Sequence, residues 1–108
     1  MVAQTTCPMI EIDVLERVAP IIRHAAHPLR LMVLDYLHHA GEARSVTDIL
    51  EAVGASQAVV SQQLRILKDQ GLLSYHREGN HVLYEIAEPS VLLLLECIRR
   101  HGDCYGPG

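Results

Sequence analysis

The chain has 108 residues and a formal charge of -4, with 49% apolar residues yet neither Trp nor Phe. That length suits one domain around a single aliphatic core, and the acidic balance excludes a generally basic nucleic-acid coat while leaving room for a local cationic patch. No apolar run approaches a membrane span, and the N-terminus lacks the charged start and apolar core of a secretory signal. Three cysteines are an odd number and sparse, so no disulfide framework is implied and a reducing, cytoplasmic setting is expected.

Residues 1–9 read as a flexible N-terminal segment that carries Cys7 before Pro8. Residues 10–101 read as the folded unit. In Glu11–Ala25, Ile12, Leu15, Val18 and Ile22 recur on one helical face. Pro20 lies inside that pattern; it has no N–H and crowds the preceding turn, so a kink or break is expected there. Pro28 suits a first helical position, Leu29–Ala40 is dense in Leu, Met and Val, and Gly41 suits the helix end. This second helix should form the centre of the core.

Ser45–Val53 reads as a short amphipathic helix, with Ser45 and Asp48 spaced as in a capping box. Gly54 and Ala55 connect it to Ser56–Gly71. Ser56 suits an N-cap and Gly71 the left-handed residue past the C-terminus. Val60, Leu64 and Leu67 make an apolar stripe, while Gln57, Ser61, Arg65 and Lys68 recur on another face. Amides and guanidinium groups read base edges, and Ser, Arg and Lys hold phosphates. Gln62 and Ser56 join these as candidate DNA contacts. The competing account of the helix alone is an ordinary solvated face. Context argues for the first account: a short helix, a tight Gly-containing turn and a longer polar-faced helix make a helix-turn-helix.

Leu72–Arg77 and His81–Ile86 suit two strands joined by Glu78-Gly79-Asn80. A helix-turn-helix followed by a β-hairpin is a winged helix, so the expected class is mainly α with a small β-hairpin. Arg77, near the tip, is a candidate for a phosphate or minor-groove contact, while His76 and His81 are expected to face solvent.

Glu88-Pro89-Ser90 opens the last helix. Val91–Leu95 is five consecutive aliphatics, apolar on every side, which is more than a chain this size can bury alone. A second subunit is the simplest cover. The expected interface takes Leu92, Leu93, Leu94 and Leu95 from this helix. His101-Gly102 should end that helix and leave 102–108 as a tail.

No nucleophile-base-orienter set, Gly-rich phosphate loop, HExxH or CxxC is visible, so no enzyme is expected. His24 and His27 straddle a helix joint, and the adjacent His38 and His39 point to different sides, so neither pair reads as a metal site. Cys97, His101 and Cys104 stand at i, i+4 and i+7, and Cys7 sits on an arm that can reach the same region. Thiolates with an imidazole suit a thiophilic transition metal or metalloid ion, and two nearby thiols suit reversible oxidation. A Cys97 that is merely a small core hydrophobe would sense nothing.

The segments HPLRLMVLDYL, VTDI, SQAVVSQQLRILKDQGLL and REGNHVLYEI, in this order and spacing, resemble the ArsR/SmtB-type bacterial repressors from about Ala25 to about His101. The resemblance implies a winged-helix homodimer, joined through its last helix and through Leu15, Val18 and Ile22 of its first, that binds the inverted repeat of a double-stranded operator and releases it on an inducer. Gln63 departs from the pattern, since many members carry His there. The arsenic-type Cys-x-Cys would fall at Arg44–Asp48, where RSVTD has no Cys. The zinc-type positions align with Glu88, Ser90, His101 and Cys104, and Ser90 is a poor ligand. The sensor therefore stays open between a metal or metalloid ion, a thiol switch and none. The rival function is a winged helix used as a protein-interaction module without an operator, which the acidic charge favours and the polar stripe disfavours.

Overall fold

The capping residues set the element boundaries. A computed structural model, which describes residues 8–105 and the side chains of residues 8–102, contains five helices and three short strands among these residues. The helices are α1 (Ile12–Ala25), α2 (Pro28–Ala40), α3 (Val46–Val53), α4 (Gln57–Asp69) and α5 (Ser90–Tyr105). The strands are β1 (Arg44–Ser45), β2 (Leu73–Glu78) and β3 (His81–Ile86).

Each inner helix starts on a side-chain acceptor, which satisfies an otherwise orphan N–H. His27 Nδ1 accepts from the Leu29 amide at 3.2 Å, just ahead of Pro28. The Ser45 hydroxyl accepts from the Asp48 amide at 3.1 Å and the Ser56 hydroxyl from the Val59 amide at 3.3 Å. The exit of α4 is a Schellman turn: the Leu72 amide donates to the Leu67 carbonyl at 2.9 Å and the Gly71 amide to that of Lys68 at 3.0 Å. Gly71 takes φ +80°, which explains the glycine at this position. Leu67 and Leu72, the hydrophobic pair of that motif, are both buried.

The core is aliphatic, as the composition requires. α2 supplies Val33, Leu34 and Leu37, α3 supplies Ile49, and α4 supplies Val60, Leu64 and Leu67. Leu72, Leu73, Val91 and Leu95 close it, and α1 gives it only Ala25. A buried Leu or Val contributes about 1.5–3 kcal/mol, so this set holds α2, α3 and α4 as one block. An ion pair at 2.6 Å between Arg99 of α5 and Asp35 of α2 ties the last helix to that block.

The sheet runs β1-β3-β2, all antiparallel. The hairpin pairs Leu73 with Ile86 through Glu78 with His81, so its tip is the two residues Gly79-Asn80. β1 adds Arg44 opposite Tyr84 and Ser45 opposite Leu83. The sequence reading missed β1, because two residues carry no periodicity.

Three expectations need correction. Of the kink or break expected at Pro20, the break does not occur, and α1 is one helix across it. Proline cannot bond the carbonyl one turn back, and Glu16, which carries that carbonyl, is exposed. α5 does not stop at His101-Gly102 but continues to Tyr105. Gly102 is absent from the glycines with positive φ, so it is an ordinary helical residue. Leu95, expected at the dimer interface, is 6% exposed and belongs to the core of its own chain. Val91 is buried with it one helical turn earlier. The five-residue run is thus divided by the helical turn: Val91 and Leu95 face inward, Leu94 packs against the core edge, and Leu92 and Leu93 face out.

Candidate nucleic-acid interface

α4 buries Val60, Leu64 and Leu67 against α2 and α3, and that fixes which residues point away. Ser56, Gln57, Ala58, Ser61, Gln62 and Arg65 are all exposed. At about 100° per residue, Ala58, Gln62 and Arg65 stand opposite the buried stripe, with Gln57 and Ser61 on one flank. The outermost face is therefore rotated slightly from the stripe that spacing alone suggested. It offers amides, hydroxyls, a guanidinium and a small Ala58, whose methyl lets the backbone approach closely.

Lys68 is placed differently from the rest. Its Nζ lies 3.5 Å from Asp69 Oδ1 and 5.2 Å from the centre of the Tyr75 ring. It thus lies against the wing rather than projecting free. Tyr75 and Arg77 alternate on β2 and share one face of the hairpin, the face on which Lys68 lies. The other face of the wing is acidic: Glu42, Glu78 and Glu85 gather there with His76, which pairs with Glu78 at 3.5 Å. Among the described residues neither Arg65 nor Arg77 makes an ion pair, whereas Arg44 is held by Glu42 at 3.2 Å and Arg100 by Glu96 at 3.0 Å. Cations without a carboxylate partner are those most able to meet a phosphate or a guanine edge.

These features agree with the comparisons. A helix-turn-helix domain model matches residues 25–76. The regulator NmtR of Mycobacterium tuberculosis is 38% identical over 87 residues, covering 81% of this chain and 71% of that protein. The chain belongs to the ArsR/SmtB family of helix-turn-helix repressors. A transcriptional repressor SmtB homolog from Synechocystis is 32% identical over 100 residues, covering 93% of this chain and 74% of the relative. The solution structure of a homodimeric winged helix-turn-helix DNA-binding domain from Mycobacterium bovis, described as a possible ArsR-family regulator, superposes with a TM-score of 0.70. It is 31% identical, with 95% of this chain and 91% of that one covered. ArsR/SmtB relatives are regulators, so this chain is not an enzyme.

The sensor positions expected of this ArsR/SmtB chain are only partly assembled. Cys97 is a free, exposed thiol on α5, and His101 is exposed one turn further on. Because α5 runs on to Tyr105, the backbone keeps residues 97, 101 and 104 on one helical face. Seven residues of helix separate Cys97 from Cys104 by about 10 Å, beyond the reach of a disulfide within one chain. Cys7 lies outside the described residues. No cluster of three His, Cys, Asp or Glu side chains suited to a metal occurs among the described residues. The zinc-type set does not fit either. Glu88 uses Oε2 to accept from the Ser90 amide at 3.1 Å, which caps α5, and Ser90 offers only a hydroxyl. The site missed by sequence reading is Arg30 with Gln63, whose side chains meet between α2 and α4. Only the departure at Gln63 hinted at it.

Proposed function

We propose that the chain acts as a homodimeric repressor whose two α4 helices enter successive major grooves of an inverted-repeat operator, in the cytoplasm. The exposed face of α4 carries this reading, because it presents Gln57, Ser61, Gln62 and Arg65 together beside a capped helix N-terminus. Ser56 and the first amides of α4 suit a phosphate, and Arg77 on the wing suits a second one. Dimerisation is supported by the apolar residues left uncovered: Leu15, Ile22, Leu92, Leu93 and Ile98 are all more than a third exposed. The M. bovis relative is itself homodimeric.

Release follows from a thiol-directed signal at α5, either oxidation or capture of a metal or metalloid ion by Cys97 with Cys104, His101 or Cys7. The exposed Cys97 thiol, on the helix expected at the interface, supports this part. A signal there shifts the spacing of the two α4 helices only if it binds or forms more readily in the released arrangement.

The test is a mobility shift with a labelled promoter fragment at several salt concentrations. Wild type and single Cys→Ser variants are compared with and without oxidants, persulfide, arsenite, zinc and nickel. Salt-dependent binding that Cys97→Ser no longer releases is the expected result. Binding that every variant releases as wild type does removes the cysteines as the sensor. Absence of binding removes the repressor.

A further inference from the structure

Arg30 occupies an unusual junction. Its Nε donates to Gln63 Oε1 at 2.6 Å, across 33 residues of sequence. Its Nη1 donates to the His24 carbonyl at 3.1 Å, and Arg30 is itself partly buried. His24 lies in the last turn of α1, where carbonyls have no partner within the helix and carry the negative end of its dipole. Ile22 and Ala25 already give their carbonyls to the Ala26 and His27 amides. The Arg30 guanidinium therefore takes a third carbonyl at the end of α1 with one arm and grips α4 with another. A planar fork with donors in fixed directions does this; a lysine has one compact head and cannot hold both partners in fixed geometry.

Gln63 lies on the flank of α4 away from Gln57 and Ser61. Its amide is not among the groups turned to DNA, and a charge-assisted hydrogen bond is among the stronger polar contacts. α1 carries Leu15 and Ile22 of the proposed dimer face, and α4 carries the proposed reading face. We infer that Arg30 is a positioning residue for DNA recognition, a clamp that fixes α4 relative to the dimer-forming α1 through Gln63. The inference rests on the DNA-reading account above and adds how α4 is aimed.

The experiment uses the full chain and a duplex recovered by wild-type protein from a random-sequence pool. Gln63→Leu removes the acceptor at similar size, Gln63→Glu keeps an oxygen there, and Arg30→Lys keeps the charge without the fork. Gln63→Leu and Arg30→Lys should each weaken specific binding by about tenfold, while Gln63→Glu stays within about threefold of wild type. Sedimentation as a dimer and low-salt binding to unrelated DNA should be unchanged. The double variant Arg30→Lys/Gln63→Leu should be no weaker than the poorer single variant, since both break one link. Wild-type affinity in Gln63→Leu, or losses that add in the double variant, overturns the clamp. If wild type recovers no sequence, the DNA reading fails by itself, and backbone amide exchange then decides the clamp. Faster exchange across α4 in Gln63→Leu but not in Gln63→Glu upholds it; equal exchange in all three proteins refutes it.

Discussion

Lys68 Nζ stands 5.2 Å from the centre of the Tyr75 ring, and so joins the last turn of α4 to the first strand of the wing. The contact continues across the sheet. Tyr75 and Tyr84 are register partners with ring centres 5.9 Å apart, and Arg44 is the backbone register partner of Tyr84 on the far side. A cation and two aromatic rings thus form one row over a helix end and the two wing strands. A cation over an exposed ring contributes about 0.5–1 kcal/mol, enough to bias the angle between helix and wing without fixing it.

Tyr75→Ala should therefore loosen the wing more than the fold. Thermal unfolding should show a loss of about 1 kcal/mol, and operator affinity should fall several-fold with base preference unchanged. Fluorescence anisotropy against a set of single-base operator variants measures both quantities. A change in which bases are preferred would mean that Tyr75 reads DNA itself.

The two faces of α5 predict opposite phenotypes for neighbouring leucines. Leu93 is 76% exposed in the single chain, and Leu95 is 6% exposed. Leu93→Glu should give a folded monomer, because the charge lands on a face that only a partner covers. Leu95→Ala should keep the dimer but cost about 2–5 kcal/mol through the cavity it leaves. Sedimentation and urea melts on the same preparations separate the outcomes. An undisturbed dimer in Leu93→Glu would move the interface elsewhere.

Gly102 supplies a test of sign. It lies within α5, and a Cβ built there meets no atom within 4 Å. Gly102→Ala should then strengthen the end of the helix by about 0.5–1 kcal/mol, visible as added helicity and slower amide exchange around residue 102. A loss of helicity would mean that the residue ends the helix through a left-handed conformation.

What could be read from sequence was what short-range chemistry dictates. Ser45, Ser56, Gly41 and Gly71 mark helix ends because a hydroxyl acceptor or a positive φ is a local requirement. The hairpin was legible from its alternation and turn, and the exposed face of α4 from its polar spacing. Elements that depend on distant partners were not. β1 exists only because Tyr84 and Leu83 lie opposite it. Leu95 turns inward because the core opens there, and an all-aliphatic run carries no pattern to show it. Gly102 gave a false stop because no packing signal offset its low helix propensity. Arg30 and Gln63 were visible as residues but not as a pair, since nothing local links positions 33 apart.

The claim that organises the rest is that the outward face of α4 reads DNA, and Arg65 is its most direct probe. Arg65 is exposed opposite the buried stripe and makes no ion pair among the described residues. The decisive measurement compares wild type and Arg65→Ala for equilibrium binding to a duplex selected by wild type and to unrelated DNA, with dimerisation checked in parallel. The account predicts a loss of about 1–3 kcal/mol on the selected duplex, a much smaller loss on unrelated DNA, and an intact dimer. Equal affinity of the two proteins for the selected duplex, or equal losses on both duplexes, would contradict it.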